Sequence, residues 1–557
     1  MHNHTIKLHS EPPCFEFDAV IIGSGFGGGT LALRLSQAGK RVLVLERGRR
    51  WRGQNMPSEL AAPDSYPFPS LGDEQFLWGR KLYQPSRQRL GLFELKQFHN
   101  LQGMVAAGVG GGSLIWANVT IEAPAEVFTE PWPRGLTRAA LEPYYRMAEE
   151  YLRPAFVPGT PGITGDAQPI ERAALLKRAA HLVGRPWRPV LVAVNFADAG
   201  QAQSNGFGSA TQMGCNFCTR CSAGCPQNAK NTVDVSYIAE AQWLGAQIRT
   251  LHRVCHVAAL PHHGYRVFFD RFSHDGQMVE SGFIDAKRLI LAAGTFGTTE
   301  LLLRSREAGL LPGVSAALGT CVSINGNVLS GAIRKGGETA GSDVTAKIAE
   351  DAGTAIASMI DYGDFVVEDF ARPDWAGGIV GGSNTSRIRA FLKGVLGIKD
   401  AAVRPQDMLF YVGVGRDRAL GRLFINHLGG LSLDWPGGIN KEPVLLRLHA
   451  AMEKLAHVQG REYFPNVFST FNRPLTYHPL GGCPMSDISQ TGVVDEFGQV
   501  FGYPELYIAD GSIVPTSLGR NPAFTIAALA ERIAEAMVRG WDDRSFAVSA
   551  AQIKAVN

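Results

Sequence analysis

Residues 18–46 read DAVIIGSGFGGGTLALRLSQAGKRVLVLE, and the architecture follows from them. The apolar run DAVII gives way at once to GSGFGG, then to the helix-patterned TLALRLSQAGK, then to a second apolar run, RVLVLE, that stops at Glu46. Strand, glycine turn, helix and strand in this order make the βαβ unit that binds dinucleotides. The three glycines do different things. Gly23 permits the tight turn, Gly25 lets the main chain approach a pyrophosphate, and Gly28 allows the helix to pack closely on the strand. The pyrophosphate then rests on a helix N-terminus, where free N–H groups point outward. Glu46 stands about twenty residues beyond the turn, where a carboxylate accepts from ribose hydroxyls, and a carboxylate there favours FAD or NAD over NADP.

Beyond Glu46 the texture changes. From about residue 50 to 100 the chain is rich in Pro, Trp, Arg and Gln without clean periodicity, and it reads as an excursion out of the nucleotide-binding unit rather than as core sheet. AAGVGGGSLIWAN, residues 106–118, holds too much glycine for helix or strand and is expected to be a loop hugging a ligand. AQIRTLHRV (246–254), GYRVFFDRF (264–272) and RLILAAG (288–294) read as strands that bring the chain back to the cofactor. From about 330 to 465, apolar alternation broken by Gly and Pro turns suits an antiparallel sheet, assigned here to the substrate. LYIADGSIVPTSLGRNPAFTIAALAERIAEAMV (506–538) reads as strand, loop and helix closing the first domain.

The expected fold class is therefore α/β plus α+β. A Rossmann-type domain is drawn from 14–50, 226–330 and 470–545, interleaved with an antiparallel-sheet substrate domain and cap from 51–225 and 331–469.

Length and composition agree with two such domains, because 557 residues exceed what one core organises. Charged residues at 19% and hydrophobic residues at 45% describe an ordinary globular chain. The net charge of +3 comes without a basic run, which leaves nucleic acid without electrostatic support as a partner. The opening MHNHTIKLHSEPPCFEF has no apolar core of the kind a signal peptide needs, and no stretch of about 18 apolar residues occurs. The expected location is cytoplasmic, with peripheral attachment to a membrane left open.

Of the eight cysteines, Cys215, Cys218, Cys221 and Cys225 fall within CNFCTRCSAGCP. Their C-x2-C-x2-C-x3-C-P spacing is that of bacterial ferredoxin ligands, so an iron–sulfur cluster, 4Fe-4S or 3Fe-4S, is expected, with reduced and packed cysteines as the other reading. Zinc sites ordinarily use two separated knuckles, and disulfides would be reduced in a cytoplasmic protein.

VGGGSLIWAN (109–118), LILAAGTFGTTELLLRS (289–305), YHPLGGC (477–483) and DGSIVPTSLGRNPAFTIAALAERIAE (510–535) carry a resemblance. Together they resemble the glucose-methanol-choline (GMC) oxidoreductases, and within them the cholesterol-oxidase-like branch. The likeness covers the N-terminal fifth, the middle third and the C-terminal seventy residues, and is weakest from about 330 to 465. It implies FAD, and it places His478 and Asn521 at the family's active-site pair. Removing hydride from a carbinol carbon requires the hydroxyl proton to be lost or polarised, which suits a histidine, while an amide can hold the developing alkoxide. The resemblance further assigns Asp510 and Gly511 to the ribityl-phosphate region, and Gly110, Gly111, Gly112, Ser113 and Asn118 to the loop passing the isoalloxazine. A helix opening at Pro522 would turn its positive end to the flavin. Glu368, in DFVVEDFARP, falls roughly where cholesterol-oxidase-like members place a carboxylate used for proton movement on the steroid ring.

The implied activity is FAD-dependent oxidation of a bulky hydrophobic alcohol, a sterol among the candidates. A cluster on the cysteine run would pass electrons to a cytochrome or quinone-linked partner. The alternatives are an oxygen-dependent oxidase without a cluster and a flavin-containing lyase or decarboxylase.

Overall fold

The structure is a computed structural model that describes residues 15–55, 64–70, 73–81, 84–164, 167–261, 263–334, 353–371, 408–465 and 473–541. The first fourteen residues, Cys14 among them, and parts of the expected substrate domain (335–352, 372–407 and 466–469) lie outside these ranges.

Strand β1 (Ala19–Ile22) and strand β2 (Val42–Leu45) pair in parallel, Ala19 against Val42, and every residue of both is buried. Continuous burial is why these runs are apolar throughout rather than alternating, since a parallel sheet is covered on both faces. The sheet has five parallel strands in the order Gln247–Arg249, β2, β1, Arg288–Leu291, Leu506–Ile508. Helix α1 (Phe26–Gln37) follows β1 directly and packs against the helix Ala523–Arg539. Gly28 explains the closeness of α1 to β1: a Cβ there would lie 2.0 Å from the Gly23 carbonyl oxygen.

A second sheet of six strands is antiparallel throughout, in the order Trp187–Pro189, Ser358–Asp361, Phe365–Phe370, Met408–Gly415, Val328–Arg334, Arg461–Phe464. The helix Pro443–Val458 packs on it. The structure thus joins a Rossmann-type sheet to an antiparallel one, the mixed α/β and α+β class expected.

Two local readings are refined. The stretch from about 50 to 100 stays outside the parallel core sheet, as expected, but carries strands of its own: Phe93–Gln97 and Gln102–Ala106 form a hairpin, and Leu475–Thr476 adds to it in parallel. Its alternation was hidden because Phe93 is buried while Leu95 is exposed, so the hairpin breaks the usual apolar-inside rule. The three segments between 246 and 294 do not form one sheet. Gln247–Arg249 and Arg288–Leu291 enter the parallel sheet, while His252–Ala259, Tyr265–Phe272 and Met278–Ala286 form a separate antiparallel meander.

Candidate active site

One cavity of about 1510 Å³ runs from the glycine turn after β1 to the antiparallel sheet. Pockets for single small molecules occupy roughly 300–1,000 Å³, so this volume accommodates a dinucleotide together with a substrate.

At the first end, Gly25 is the N-cap of α1, and Gly25, Phe26 and Gly27 face the cavity with no acidic residue in the first helical turn. A Cβ on Gly25 would meet nothing nearer than Gly111 Cα at 3.9 Å, and one on Gly112 would meet nothing within 4 Å. Open space beside bare backbone at a helix N-terminus is the shape a pyrophosphate needs. Gly23 turns the chain at φ +95°. Glu46 lies on the wall with Oε2 accepting from Ser24 Oγ at 2.6 Å and Oε1 from Gly48 N at 2.8 Å, which holds the carboxylate toward the ribose position. Asp510 and Gly511 line the same cavity. Each Asp510 oxygen is already taken, Oδ2 by Gly294 N and Thr298 Oγ1, Oδ1 by Ser512 N and Ser512 Oγ, so this carboxylate shapes the wall. The helix Ala523–Arg539 is capped at Pro522, and Pro522, Ala523 and Ile526 reach the cavity, placing a second positive helix end there. These residues fit FAD.

Three expected contacts do not line the cavity. Gly110 (φ +107°) and Ser113 fold the loop: Ser113 Oγ donates to the Gly110 carbonyl at 2.7 Å and accepts from Val233 N at 3.0 Å. Asn118 is fully buried at φ +69° with neither side-chain amide atom paired. Gly111 and Gly112 do face the cavity, as does Trp116, whose buried indole N–H has no partner. The resemblance implied that the whole glycine loop is one contact surface, whereas a turn of 3-10 helix at Gly111–Leu114 sends some of its residues inward and others outward.

At the other end the wall is apolar. Leu329, Ile333, Phe370, Phe410 and Val412 come from the antiparallel sheet, at alternate positions of their strands. Leu329 pairs with Val412 and Val412 with Glu368, which puts all three side chains on one face. Glu368 is nevertheless fully buried and absent from the cavity wall, because Asn521 lies over it, Nδ2 to Glu368 Oε2 at 3.4 Å. Burial pushes the Glu368 carboxyl up to about 8, with Asp369 raising it further and Asn521 and Arg520 pulling it down.

His478 and Asn521 both face this end of the cavity. Asn327, which sequence reasoning missed, fixes the histidine. Its Oδ1 accepts from Thr476 Oγ1, Tyr477 N and His478 N, at 3.0, 3.2 and 3.1 Å, so its Nδ2 must donate to His478 Nδ1 at 3.0 Å. A neutral imidazole that accepts at Nδ1 carries its proton at Nε2. Burial lowers the His478 pKa to about 3, so the ring is neutral at working pH. In this tautomer Nε2 carries an N–H, the form that polarises a hydroxyl oxygen rather than takes its proton. Asn521 gives one of its two Nδ2 hydrogens to Glu368, and its Oδ1 has no hydrogen-bond partner. Nothing in the run INGNV marks Asn327, whereas Tyr477 stands within the motif YHPLGGC.

The cysteine run gives the expected cluster no support. Among the described residues no group of three or more His, Cys, Asp or Glu is placed to hold a metal ion. The segment is broken by left-handed Phe217, Thr219 and Gly224 around a 3-10 turn at Arg220–Ala223, and Cys215, Cys218, Cys221 and Cys225 are all free. Burial raises the thiols of Cys215, Cys218 and Cys225, Cys218 to about 12, and the neighbouring cysteines of the run add to the rise. Spacing alone was the ground for the cluster, and spacing does not fix where side chains converge. The electron-transfer partner inferred from it loses its basis. Lys230, buried beside the run, donates to the carbonyls of Leu114, Trp116 and Cys221 and so ties the cysteine segment to the glycine loop.

A glycine-turned Rossmann sheet sharing one cavity with a His–Asn pair over an antiparallel sheet defines an FAD-dependent oxidoreductase acting on CH–OH groups. Two family profiles, both described as GMC oxidoreductase, match residues 17–310 and 445–530. The chain belongs to the GMC oxidoreductase family. It is 29% identical to a cholesterol oxidase of Mycobacterium tuberculosis, over 93% of this chain and 90% of that one. It is 28% identical to a cholesterol oxidase of Acinetobacter baumannii, over 93% and 94%. A long-chain-alcohol oxidase of Arabidopsis thaliana is 22% identical over 95% of this chain and 68% of its own. Among solved structures, pyridoxine 4-oxidase from Mesorbium loti shares the fold, with a TM-score of 0.58 at 16% identity over 93% of this chain and 99% of that one.

Proposed function

We propose that the protein oxidises a bulky hydrophobic alcohol, with sterols the foremost class, to the corresponding carbonyl compound. The observation that carries this reading is that His478, protonated at Nε2, and Asn521 both line the apolar end of the one cavity whose other end is the glycine cradle. A neutral hydroxyl is complementary to both: its oxygen accepts from His478 and its proton is offered to Asn521. FAD in the glycine cradle supplies the hydride acceptor. His478 polarises the carbinol oxygen, Asn521 orients its O–H bond, and the surrounding Leu329, Phe370, Phe410 and Val412 exclude water and take up apolar substrate surface. The sterol class is supported by the two relatives named cholesterol oxidase and by the apolar wall. A lyase reading is not favoured, since the named relatives are oxidases.

Anaerobic mixing of the yellow protein with cholesterol, dodecan-1-ol or pyridoxine tests the reading. Loss of the oxidised-flavin absorbance with cholesterol is expected. Bleaching by pyridoxine alone would replace the hydrophobic substrate by a polar one, and an unchanged spectrum with all three would end the proposal.

A further inference from the structure

Residues 517–520, which lead into Asn521, belong to no helix or strand, and among the described residues their main chain makes no hydrogen bond to other main chain. Buried main-chain groups must be paired, and here one side chain pairs them. Asn325 Oδ1 accepts from Leu518 N at 3.1 Å and Gly519 N at 2.9 Å, with Ser517 Oγ also 3.1 Å away, and Asn325 Nδ2 donates to the Arg520 carbonyl at 2.7 Å. Two N–H donors on one atom and a carbonyl on the other leave this amide a single orientation. Asn325 is fully buried and does not line the cavity, so it acts on the site only through the segment it holds.

Asn327, two residues on, holds His478 in the same manner. Both members of the His478–Asn521 pair are therefore held from one turn, 324–327. That turn is itself pinned. Asn325 and Gly326 are left-handed, at φ +53° and +54°, a conformation that Asn and Gly adopt most readily. Asp417 Oδ2 accepts from Gly326 N at 2.9 Å and from Ser323 Oγ at 2.8 Å, and a Cβ on Gly326 would lie 2.4 Å from the Gly415 carbonyl oxygen. The contact of Asn521 Nδ2 with Glu368, at 3.4 Å, is long for a hydrogen bond and holds the amide less firmly than Asn325 holds the chain before it.

We propose that Asn325 is a positioning residue that sets where Asn521 stands relative to His478. The proposal rests on the alcohol-oxidation reading above, in which these two side chains receive one hydroxyl. A group held between two partners is sensitive to their separation, and a displacement of ~1 Å can cost about a hundredfold in rate. Asn325 thus governs the rate of hydride transfer and leaves FAD binding, at the other end of the cavity, unaltered.

The test mixes FAD-loaded full-length protein anaerobically with cholesterol or dodecan-1-ol, and measures the limiting rate of flavin bleaching and the alcohol concentration that gives half of it. Asn325→Gly removes the side chain and keeps a residue that accepts the left-handed backbone, whereas Asn325→Asp retains the acceptor for Leu518 and Gly519. Each is also combined with Asn521→Ala. With Asn521 present, Asn325→Gly should lower the limiting rate by roughly ten- to a hundredfold, with FAD content and the half-saturating concentration little changed. Asn325→Asp should lose less. In the Asn521→Ala background either change should cost less than about twofold, because the side chain being positioned is gone. Nitrogen NMR of the His478 ring should show the same tautomer throughout. An unchanged rate in Asn325→Gly would overturn the proposal, as would an equal loss with and without Asn521, which would make Asn325 a general support of the fold. A changed His478 tautomer would overturn it by routing the effect through the histidine, and failure of both variants to yield folded, FAD-loaded protein would assign Asn325 to folding. Should the unaltered protein bleach with neither alcohol, the alcohol-oxidation reading fails and this proposal with it, a result visible before any variant is compared.

Discussion

Asn327 donates from Nδ2 to His478 Nδ1 over 3.0 Å, and the three donors gathered on its Oδ1 leave its amide no alternative orientation. The tautomer of His478 is thus set by a residue that does not itself line the cavity. Asn327→Asp inverts the arrangement, because a carboxylate only accepts and would draw the imidazole proton to Nδ1. Nitrogen NMR of the histidine ring should report the changed tautomer. Flavin reduction by the substrate should fall by about a hundredfold with FAD content unchanged. Reduction at the original rate, with the tautomer shown to be inverted, would remove the donor role from His478.

His478→Ala and Asn521→Ala should each keep FAD and lose alcohol-driven flavin reduction by roughly a hundredfold or more. Stopped-flow absorbance separates the two properties, since the yellow colour reports binding and its decay reports chemistry. Near-normal decay in both variants would take the pair out of the mechanism.

The two glycines of the turn should fail differently. A Cβ at Gly25 meets nothing nearer than Gly111 Cα at 3.9 Å, so Gly25→Val should fold and remain colourless, its isopropyl group standing where the pyrophosphate goes. At Gly28 a Cβ falls 2.0 Å from the Gly23 carbonyl oxygen and 3.2 Å from the Ala292 Cβ, so Gly28→Val should not accumulate as folded protein at all. Circular dichroism together with FAD content distinguishes the outcomes, and a yellow Gly25→Val protein would refute the cradle.

Glu368 should make stability depend on pH. Its carboxyl sits at about 8 in the folded protein against an ordinary 4.5, so the folded state holds this proton more tightly than the unfolded chain. The groups facing it are Asn521, Arg520, Asp369 and Tyr477. The stabilising contribution is complete below 4.5 and is lost as the pH rises toward 8. Glu368→Gln should therefore melt higher than the unaltered protein near pH 8 and differ little near pH 4.5. Equal melting curves across that range would show that the carboxyl is not held protonated.

The sequence made the first end of the site legible because its requirements are local. A turn at Gly23, a bare N-cap at Gly25 and a carboxylate at Glu46 act within thirty residues of chain, and each leaves a mark in residue type. The second end was legible only in part. His478 and Asn521 could be located by their motifs, but their chemical roles depend on Asn327 and Glu368, which approach them from segments distant in sequence. Which atom of an amide or an imidazole faces a substrate is decided by such neighbours and is not written in the residue itself. The cysteine run suggested a cluster by spacing alone, and spacing does not by itself bring ligands together: among the described residues no group of three or more His, Cys, Asp or Glu is placed to hold a metal ion.

The parallel sheet draws its outermost strand, Leu506–Ile508, and the helix Ala523–Arg539 from the far part of the chain, while its centre is β1. During synthesis, then, the strand Arg288–Leu291 leaves the ribosome long before the neighbour that covers its edge. An uncovered strand edge invites pairing with other chains, so the nascent protein carries a period of exposure that ends only when Leu506–Ile508 arrives. Pro522 and Ala523 belong to the wall of the same cavity, so the cradle is complete only once this last helix has been made. FAD loading is in this sense a late checkpoint on a complete chain, and a polypeptide interrupted before Leu506 should be handed to chaperones or proteases rather than persist as a partly built flavoprotein.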